Sequence, residues 1–417
     1  MADRIRLGFI GANVRATWAA QSHFPALLAS PDVELTAVCT TRRETAEAAR
    51  EAFGAKLAFT DFREMVVSNE IDAVAVVVRV PAHYEPTRAA IEAGKHVYTE
   101  WPLGRTTAEA EELAALARAR DVQTACGLQS RVSPALLYMK EQIEAGFVGE
   151  VLSCHADCMR DGALERPSSR TWQRDASLGA NPLTIANGHV IDALRFVVGN
   201  FTRVSAMLTT QARQWYETDT KKMVDVTAPD NILVSGKLAS GAVASVHVAA
   251  VPWAGGGLRM VIYGREGTLM ATGNVSSQRG EMLRVQGAKR SHELSDMPIP
   301  DRFVWLPPEF PRGDPFNVGQ MYRLFAEAIR TGQTQSRLAD LRHRGRPASL
   351  PRYDQAVIGY GTGAASGLRI PTGGDTCERT AYAGPCARDA PRSAPGSRSL
   401  HREACRGSSN GPGSITA

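Results

Sequence analysis

The sequence predicts a doubly wound parallel α/β sheet followed by an α+β domain built on a large, mostly antiparallel sheet. Three observations carry this. Strand-length apolar runs alternate with helix-spaced segments over the first 130 residues. The run Ala73 to Val80 is almost entirely β-branched, as a central parallel strand covered on both faces requires. Beyond residue 130 the strands lengthen, and turn residues such as Ser240-Gly241 and Arg265-Glu266-Gly267 separate several of them.

In order, Ile5 to Ile10 is a strand that stops at Gly11, and Trp18 to Leu28 has helical spacing. Val33 to Cys39 is a strand, and Arg43 to Phe53 a helix closed by Gly54. Pro81 stops the Ala73 run; Tyr84 to Ala93 is a helix with Gly94 just past its end. The strands His96 to Glu100 and Gln123 to Leu128 flank the helix Ala108 to Arg120. Leu136 to Ala145 bridges to a second domain. Its expected strands are Val151 to Met159, Val204 to Leu208, Ile232 to Leu238, Ala242 to Val251 and Leu258 to Tyr263, with helices at 188–198 and 318–330. The expected domains are 1–130, 131–336 and a low-complexity tail, 337–417. That tail is either naturally disordered or translated in a shifted reading frame of a GC-rich gene.

The tail also decides what the net charge of +5 means. It holds 12 Arg, no Lys and 6 Asp+Glu, a net +6, so the rest of the chain carries −1. A body without basic excess argues against nucleic acid as a partner. No apolar run reaches the roughly 20 residues of a membrane span, and the N-terminal residues lack a signal-peptide pattern, so the expected location is the cytoplasm. Seven cysteines without framework spacing are no disulfide scaffold. In Cys154-His155-Ala156-Asp157-Cys158, strand alternation turns the cysteines one way and His155 the other, so no metal site is expected.

The first strand runs into Gly8-Phe9-Ile10-Gly11-Ala12-Asn13-Val14-Arg15-Ala16, a partial dinucleotide fingerprint. Gly11 takes the first glycine position, Asn13 the second and Ala16 the third. Asn13 tolerates positive φ better than most residues and is expected to preserve the turn. The second strand ends in Cys39-Thr40-Thr41-Arg42-Arg43, where an NAD-selective site usually carries Asp or Glu. Thr40, Arg42 and Arg43 suit the 2′-phosphate of NADP(H), with NAD left open.

Several motifs together resemble the glucose–fructose oxidoreductase / inositol dehydrogenase (Gfo/Idh/MocA) family over roughly residues 4 to 330. They are Gly8-Phe9-Ile10-Gly11, Ile71-Asp72-Ala73-Val74, Ala93-Gly94-Lys95-His96-Val97, Glu100-Trp101-Pro102-Leu103, Gly146-Phe147-Val148-Gly149-Glu150-Val151 and Gly188-His189-Val190-Ile191-Asp192. Val80-Pro81-Ala82-His83-Tyr84-Glu85 and Leu128-Gln129-Ser130-Arg131-Val132-Ser133-Pro134 resemble the branch of the yeast galactose-pathway repressor. The resemblance implies cofactor contacts from Gly11, Asn13, Val14, Arg15, Val80, Pro81, His83, Glu100, Trp101 and Gln129. It also implies a homodimer or homotetramer formed through the open sheet.

Where the family's dehydrogenases carry Glu-Lys-Pro, this chain has Glu100-Trp101-Pro102, and Ile185 stands where they place an Asp four residues before the His. Trp101 can donate one N–H but move no proton, which leaves it as an apolar wall of the nicotinamide pocket. His189 is then the expected acid/base; Asp192, one helical turn on, either orients it or simply ion-pairs, the structural role being the one favoured, and Tyr84, Arg131 and Glu100 add polar contacts. Two readings follow. One is an NADP(H)-dependent oxidoreductase acting on a small molecule, a sugar, polyol or cyclic diol. The other is a non-catalytic, dinucleotide-binding regulator.

Overall fold

The structure, a computed structural model, describes residues 3–15, 18–273 and 283–333. Ala16 of the glycine turn and the expected tail 337–417 lie outside them. Six parallel strands form the first sheet: β1 (Ile5–Ile10), β2 (Val33–Cys39), β3 (Leu57–Phe59), β4 (Ala73–Val76), β5 (His96–Glu100) and β6 (Thr124–Gly127). Their spatial order, β3-β2-β1-β4-β5-β6, reverses between β1 and β4. In such a sheet the crevice at that reversal, beyond the strand C-termini, is where a dinucleotide binds.

Both faces of this sheet are covered, which is why its strands read as continuous apolar runs. On one face, Leu7 and Phe9 pack with Phe24 and Leu27 of α1 (Phe24–Leu28). On the other, Val74, Val76 and Val97 meet Met65, Ile91 and Leu113 of α3 (Phe62–Val66), α4 (Tyr84–Glu92) and α5 (Thr107–Ala119). The helix α2 (Arg43–Phe53) follows β2. The expected helix Trp18 to Leu28 is helical over that span, but its first part, Ala19–His23, is a π-helical turn that runs directly into α1. The apolar run Ala73 to Val80 pairs only as far as Val76, because the chain then turns at Val80–Ala82 over Pro81.

After α6 (Pro134–Glu144) comes an eight-stranded sheet in which one pair alone is parallel. Its central strand is β7 (Val151–Arg160). Two short elements, β8 (Glu165–Arg166) and α7 (Ser168–Thr171), precede α8 (Gly188–Val198). The chain continues through β9 (Phe201–Thr209), β10 (Gln214–Glu217), β11 (Lys222–Asp225), β12 (Asn231–Leu238), β13 (Val243–Ala250), β14 (Gly257–Gly264), β15 (Gly267–Gly273), β16 (Arg284–Lys289) and β17 (Ser295–Asp296). The large sheet runs β17-β16-β15-β14-β7-β13-β12-β9, and β11-β10-β8 form a small side sheet that the periodicity does not reveal.

One face of the large sheet is closed by α6 and α8. Leu136, Met139, Val190, Ile191 and Leu194 pack on Cys154, Ala156 and Cys158 of β7 and on Val246, Val248, Met260 and Ile262. Each fully buried Leu or Ile there contributes about 1.5–3 kcal/mol. The opposite face is uncovered, and Met207, Leu233 and Val243 stand exposed on β9, β12 and β13. The last helix, α9 (Asp314–Thr331), returns to the first sheet, placing Phe316, Met321 and Phe325 in the core of Leu7 and Phe9. A boundary drawn along the sequence at residue 130 does not capture this return. No described helix is long and apolar enough to cross a membrane.

Candidate functional site

The turn after β1 fits a pyrophosphate. Gly11 has φ +97°, and a Cβ there would meet the Val77 carbonyl oxygen at 2.1 Å, so only glycine allows the close crossing of β1 and the β4 loop. Gly11 donates its N–H to the Cys39 carbonyl at 3.0 Å, and Asn13, Val14 and Arg15 follow, exposed. Asn13 does not take the positive φ expected of it; its Oδ1 accepts from the Arg15 N–H at 2.9 Å and closes the turn from the side chain. At the end of β2, Thr40 Oγ1 donates to the Arg42 carbonyl at 3.0 Å and meets Thr45 Oγ1 at 2.6 Å, fixing the start of α2. Arg43 bonds Glu47 at 3.3 Å and the Ala58 carbonyl at 3.4 Å. The exposed Arg42 guanidinium makes no such bond among the described residues.

Across the crevice, Val80 is buried and Pro81 exposed on the turn after β4. Buried His83 pins that turn to the next loop, with Nδ1 at 2.7 Å from the Pro102 carbonyl and Nε2 at 3.0 Å from that of Val78. Burial pushes its pKa down, against the two carbonyls and more distant Glu100 and Glu109. Glu100, at the end of β5, is the centre of a buried network. Its Oε1 accepts from Gln129 Nε2 at 2.9 Å and Tyr98 OH at 3.2 Å, and lies 3.1 Å from His23 Nε2. His23 Nδ1 sits 2.8 Å from Tyr322 OH on α9. A His23 that donates from Nε2 and accepts at Nδ1 satisfies both contacts. Glu100 thereby ties the first helical turn to β5, to the turn after β6 and, through His23, to α9.

Trp101 follows on a buried loop. Its indole N–H donates to the Thr184 carbonyl at 2.7 Å, within the π-helical turn Leu183–Asn187 that leads into α8. The ring lies against Gly188, where a Cβ would stand 2.6 Å from Nε1. Gly188 and the widened turn make room for a residue far broader than lysine. His189 comes next, 3 % exposed, and among the described residues its buried Nδ1 has no hydrogen-bond partner. Burial pulls its pKa down to about 4, Glu100 and Asp192 pull upward, and Arg160 adds to the lowering. The imidazole is therefore neutral at neutral pH.

Two expected partners of His189 are elsewhere. Asp192 forms a two-bond pair with Arg131, at 2.7 Å to Nε and 2.5 Å to Nη2. Burial works against the Arg131 charge, but Asp192 outweighs it and raises its pKa. The pair bridges the turn after β6 to α8, so of the two roles the sequence left open for Asp192 it takes the ion pair and not the orienting of His189. Tyr84 opens α4 on the side facing α5, and its hydroxyl bonds Glu112, which raises its pKa. Among the described residues no contact joins it to His189. Sequence reasoning missed His23, Tyr322, Asn187 and Gly188. Asn187 is fully buried, with neither side-chain polar atom partnered among the described residues. Gln129 Oε1, Trp18 Nε1 and Ser22 Oγ are orphaned in the same way. Buried donors and acceptors left unmet cost about 1–3 kcal/mol each, and a polar ligand removes that cost. The glycine cradle and these orphaned groups fit a nicotinamide dinucleotide.

Fold and cradle thus define a dinucleotide-binding protein. Residues 5–128 match the family model of the "Oxidoreductase family, NAD-binding Rossmann fold", and residues 134–273 match that of the "Gal80p, C-terminal domain". Among curated relatives, Dehydrogenase aclE of Aspergillus oryzae is 37% identical over 49% of this chain. The galactose/lactose metabolism regulatory protein GAL80 of Saccharomyces cerevisiae is 30% identical over 57% of it. The match spans 58% of the length of each of these two proteins. A levoglucosan dehydrogenase in complex with NADH and L-sorbose superposes with TM-score 0.71 at 23% identity, over 81% of this chain and 92% of that one. A super-repressor mutant of Gal80p from Saccharomyces cerevisiae gives 0.70 at 24% identity, over 80% and 89%. The chain belongs to the Gfo/Idh/MocA oxidoreductase family, with a second domain of the Gal80p type.

Proposed function

We propose that the protein is a nicotinamide-dependent oxidoreductase that oxidises a hydroxyl of a sugar, polyol or cyclic diol. The observation that carries this is His189, buried and neutral in the first turn of α8, with an Nδ1 that has no partner among the described residues. A neutral imidazole can accept the proton of an alcohol as its hydride leaves, and the same ring returns that proton in the reverse reaction. The bound dinucleotide would supply the hydride acceptor. The glycine turn seats its pyrophosphate, Arg42 its 2′-phosphate, which favours NADP over NAD, and Trp101 with Gly188 closes the wall beside His189. The uncovered sheet face carrying Met207, Leu233 and Val243 pairs two copies in a homodimer.

The test is NADP⁺ and NAD⁺ reduction by purified protein across a panel of sugars, polyols and cis-diols. Turnover on one member is the expected result. One observation favours a second reading, a dinucleotide-binding regulator: the indole that stands in the lysine position is fixed to the Thr184 carbonyl. Cofactor binding without turnover on any member would make the regulator the better account. Trp101→Lys separates the two further, since it lowers turnover in an enzyme packed around the indole and lowers nothing in a protein that has none.

A further inference from the structure

The buried carboxylate at the end of β5 is held by donors that carry no charge. Glu100 Oε1 takes all three of its hydrogen bonds, from Gln129 Nε2, Tyr98 OH and His23 Nε2. Gln129 is an amide, and burial together with Glu100 keeps the Tyr98 phenol protonated. His23 is neutral as well. Tyr322 OH is fully buried and has no other hydrogen-bond partner among the described residues, so its proton is met only if His23 Nδ1 accepts it. That leaves His23 one N–H, on Nε2, for Glu100. Among the described residues no lysine or arginine bonds this carboxylate, and Arg131, two residues beyond Gln129, is engaged by Asp192. Where the family's dehydrogenases place a lysine next in sequence, Trp101 turns its N–H to the Thr184 carbonyl. Three donors on one oxygen favour the ionised acid, which leaves a negative charge enclosed by dipoles and matched by no cation.

The second oxygen shows from which side a cation can come. Oε2 bonds none of the described residues and yet is not one of the enclosed, orphaned atoms, so it opens to the space at the C-terminal end of β5. Gly127 on β6 makes room for the carboxylate, since a Cβ there would collide with Oε1. A dinucleotide in the crevice puts its adenosine ribose at the end of β2. Its nicotinamide then lies on the other side of the strand reversal, toward β4 and β5, where Oε2 opens. We infer that Glu100 is the counter-charge of the oxidised nicotinamide ring, so that the protein holds NADP⁺ in preference to NADPH. The oxidised ring carries a positive charge and the reduced ring none, while every phosphate and ribose is common to both. A fixed carboxylate in a poorly hydrated crevice stabilises the first form and not the second. The inference needs only dinucleotide binding, and it holds for an oxidoreductase and a non-catalytic binder alike.

The experiment measures binding rather than turnover. Titrate the purified full chain with NADP⁺ and with NADPH by calorimetry; the ratio of the two dissociation constants isolates the ring charge. The parent should bind NADP⁺ the more tightly. Glu100→Gln keeps the size of the side chain and an acceptor for the three donors. It should weaken NADP⁺ about tenfold and NADPH by less than about twofold. Trp101→Lys sets a cation beside the carboxylate and should shift the ratio in the same direction, so it carries the test if the Gln variant does not fold. NAD⁺ and NADH should show the same change, because the 2′-phosphate cancels from the ratio. A parent that binds NADPH at least as tightly as NADP⁺, a Gln variant that weakens both forms alike, or a Lys variant with the parent's ratio would each overturn the inference and leave Glu100 as scaffold alone. None of these results bears on the oxidoreductase reading, which turnover across the substrate panel decides.

Discussion

Two groups flanking Trp101, the Glu100 carboxylate and the start of α8, differ in how their polar atoms are met, although Gln129 Oε1, Ser22 Oγ and Trp18 Nε1 near the first are also unpartnered among the described residues. On the side of the parallel sheet, Glu100 is met by His23, Tyr98 and Gln129, and His23 by Tyr322. On the side of α8, Asn187 and His189 are as deeply buried and have polar atoms left unmet. A satisfied network fixes one arrangement of the chain; an unsatisfied one stores a preference for a ligand. Under the proposed function the Glu100 network is scaffold and the start of α8 is where the chemistry is expected. The histidines repeat the contrast, since His83 touches two carbonyls and His189 Nδ1 has no hydrogen-bond partner among the described residues.

The largest effect expected from this contrast is on His189. His189→Ala should lower turnover on the order of 10²–10⁴, the range for a lost general acid or base, while dinucleotide affinity stays within error. Unchanged turnover in the variant would move the proton-transfer role away from α8. Glu100→Ala tests the scaffold side. It strips a buried acceptor from several donors and should cost about 3 kcal/mol of stability, read as a lowered urea midpoint. A loss confined to turnover, with the midpoint unmoved, would place Glu100 in the chemistry instead.

The same contrast has a pH signature. His189 has a folded pKa near 4, below its unfolded value of about 6.5. The unfolded chain binds the extra proton, so stability is full above pH 6.5 and falls as the pH drops toward 4, by at most about 3 kcal/mol. Buried His83, also lowered, acts with the same sign. His189→Gln should flatten part of the fall in melting temperature between pH 6.5 and 4. A variant with the parent's full pH dependence would show that the His189 charge does not oppose folding.

Much of the fold was legible because it is local. Ile5–Ile10, Val33–Cys39 and His96–Glu100 are strands at the expected limits, since periodicity and flanking glycines report on neighbours in sequence. The side sheet β8-β10-β11 was not, because its strands are two to four residues long. The candidate site was legible as residue types and illegible as partnerships. Arg131 and Asp192 are 61 positions apart, and His23 and Tyr322 are 299 apart. The spacing of Asp192 from His189 left open an orienting role or an ion pair, and the partner of that ion pair, a guanidinium 61 positions away, could not be read from spacing. Trp101 was expected to be an apolar wall; its hydrogen bond to Thr184 depends on a π-helical turn that no periodicity announces.

The smallest effect separates two adjacent arginines. Arg42 and Arg43 read alike in the sequence, yet Arg43 is engaged by Glu47 and the Ala58 carbonyl. Arg42 caps the start of α2 with an extended backbone and leaves its guanidinium exposed at the end of β2, beside the crevice. An exposed cation keeps only part of a charge-assisted bond, so Arg42→Ala should weaken NADPH about five- to tenfold and leave NADH unchanged. Arg43→Ala should weaken NADPH by about threefold or less, because the guanidinium must leave Glu47 before it can serve the 2′-phosphate. Titrations by nicotinamide fluorescence at two salt concentrations measure both, and the Arg42 effect should shrink at the higher one. Equal affinity of the parent for NADH and NADPH would remove the NADP preference. A larger loss at Arg43 than at Arg42 would show that the phosphate breaks the Glu47 contact and reorganises the start of α2.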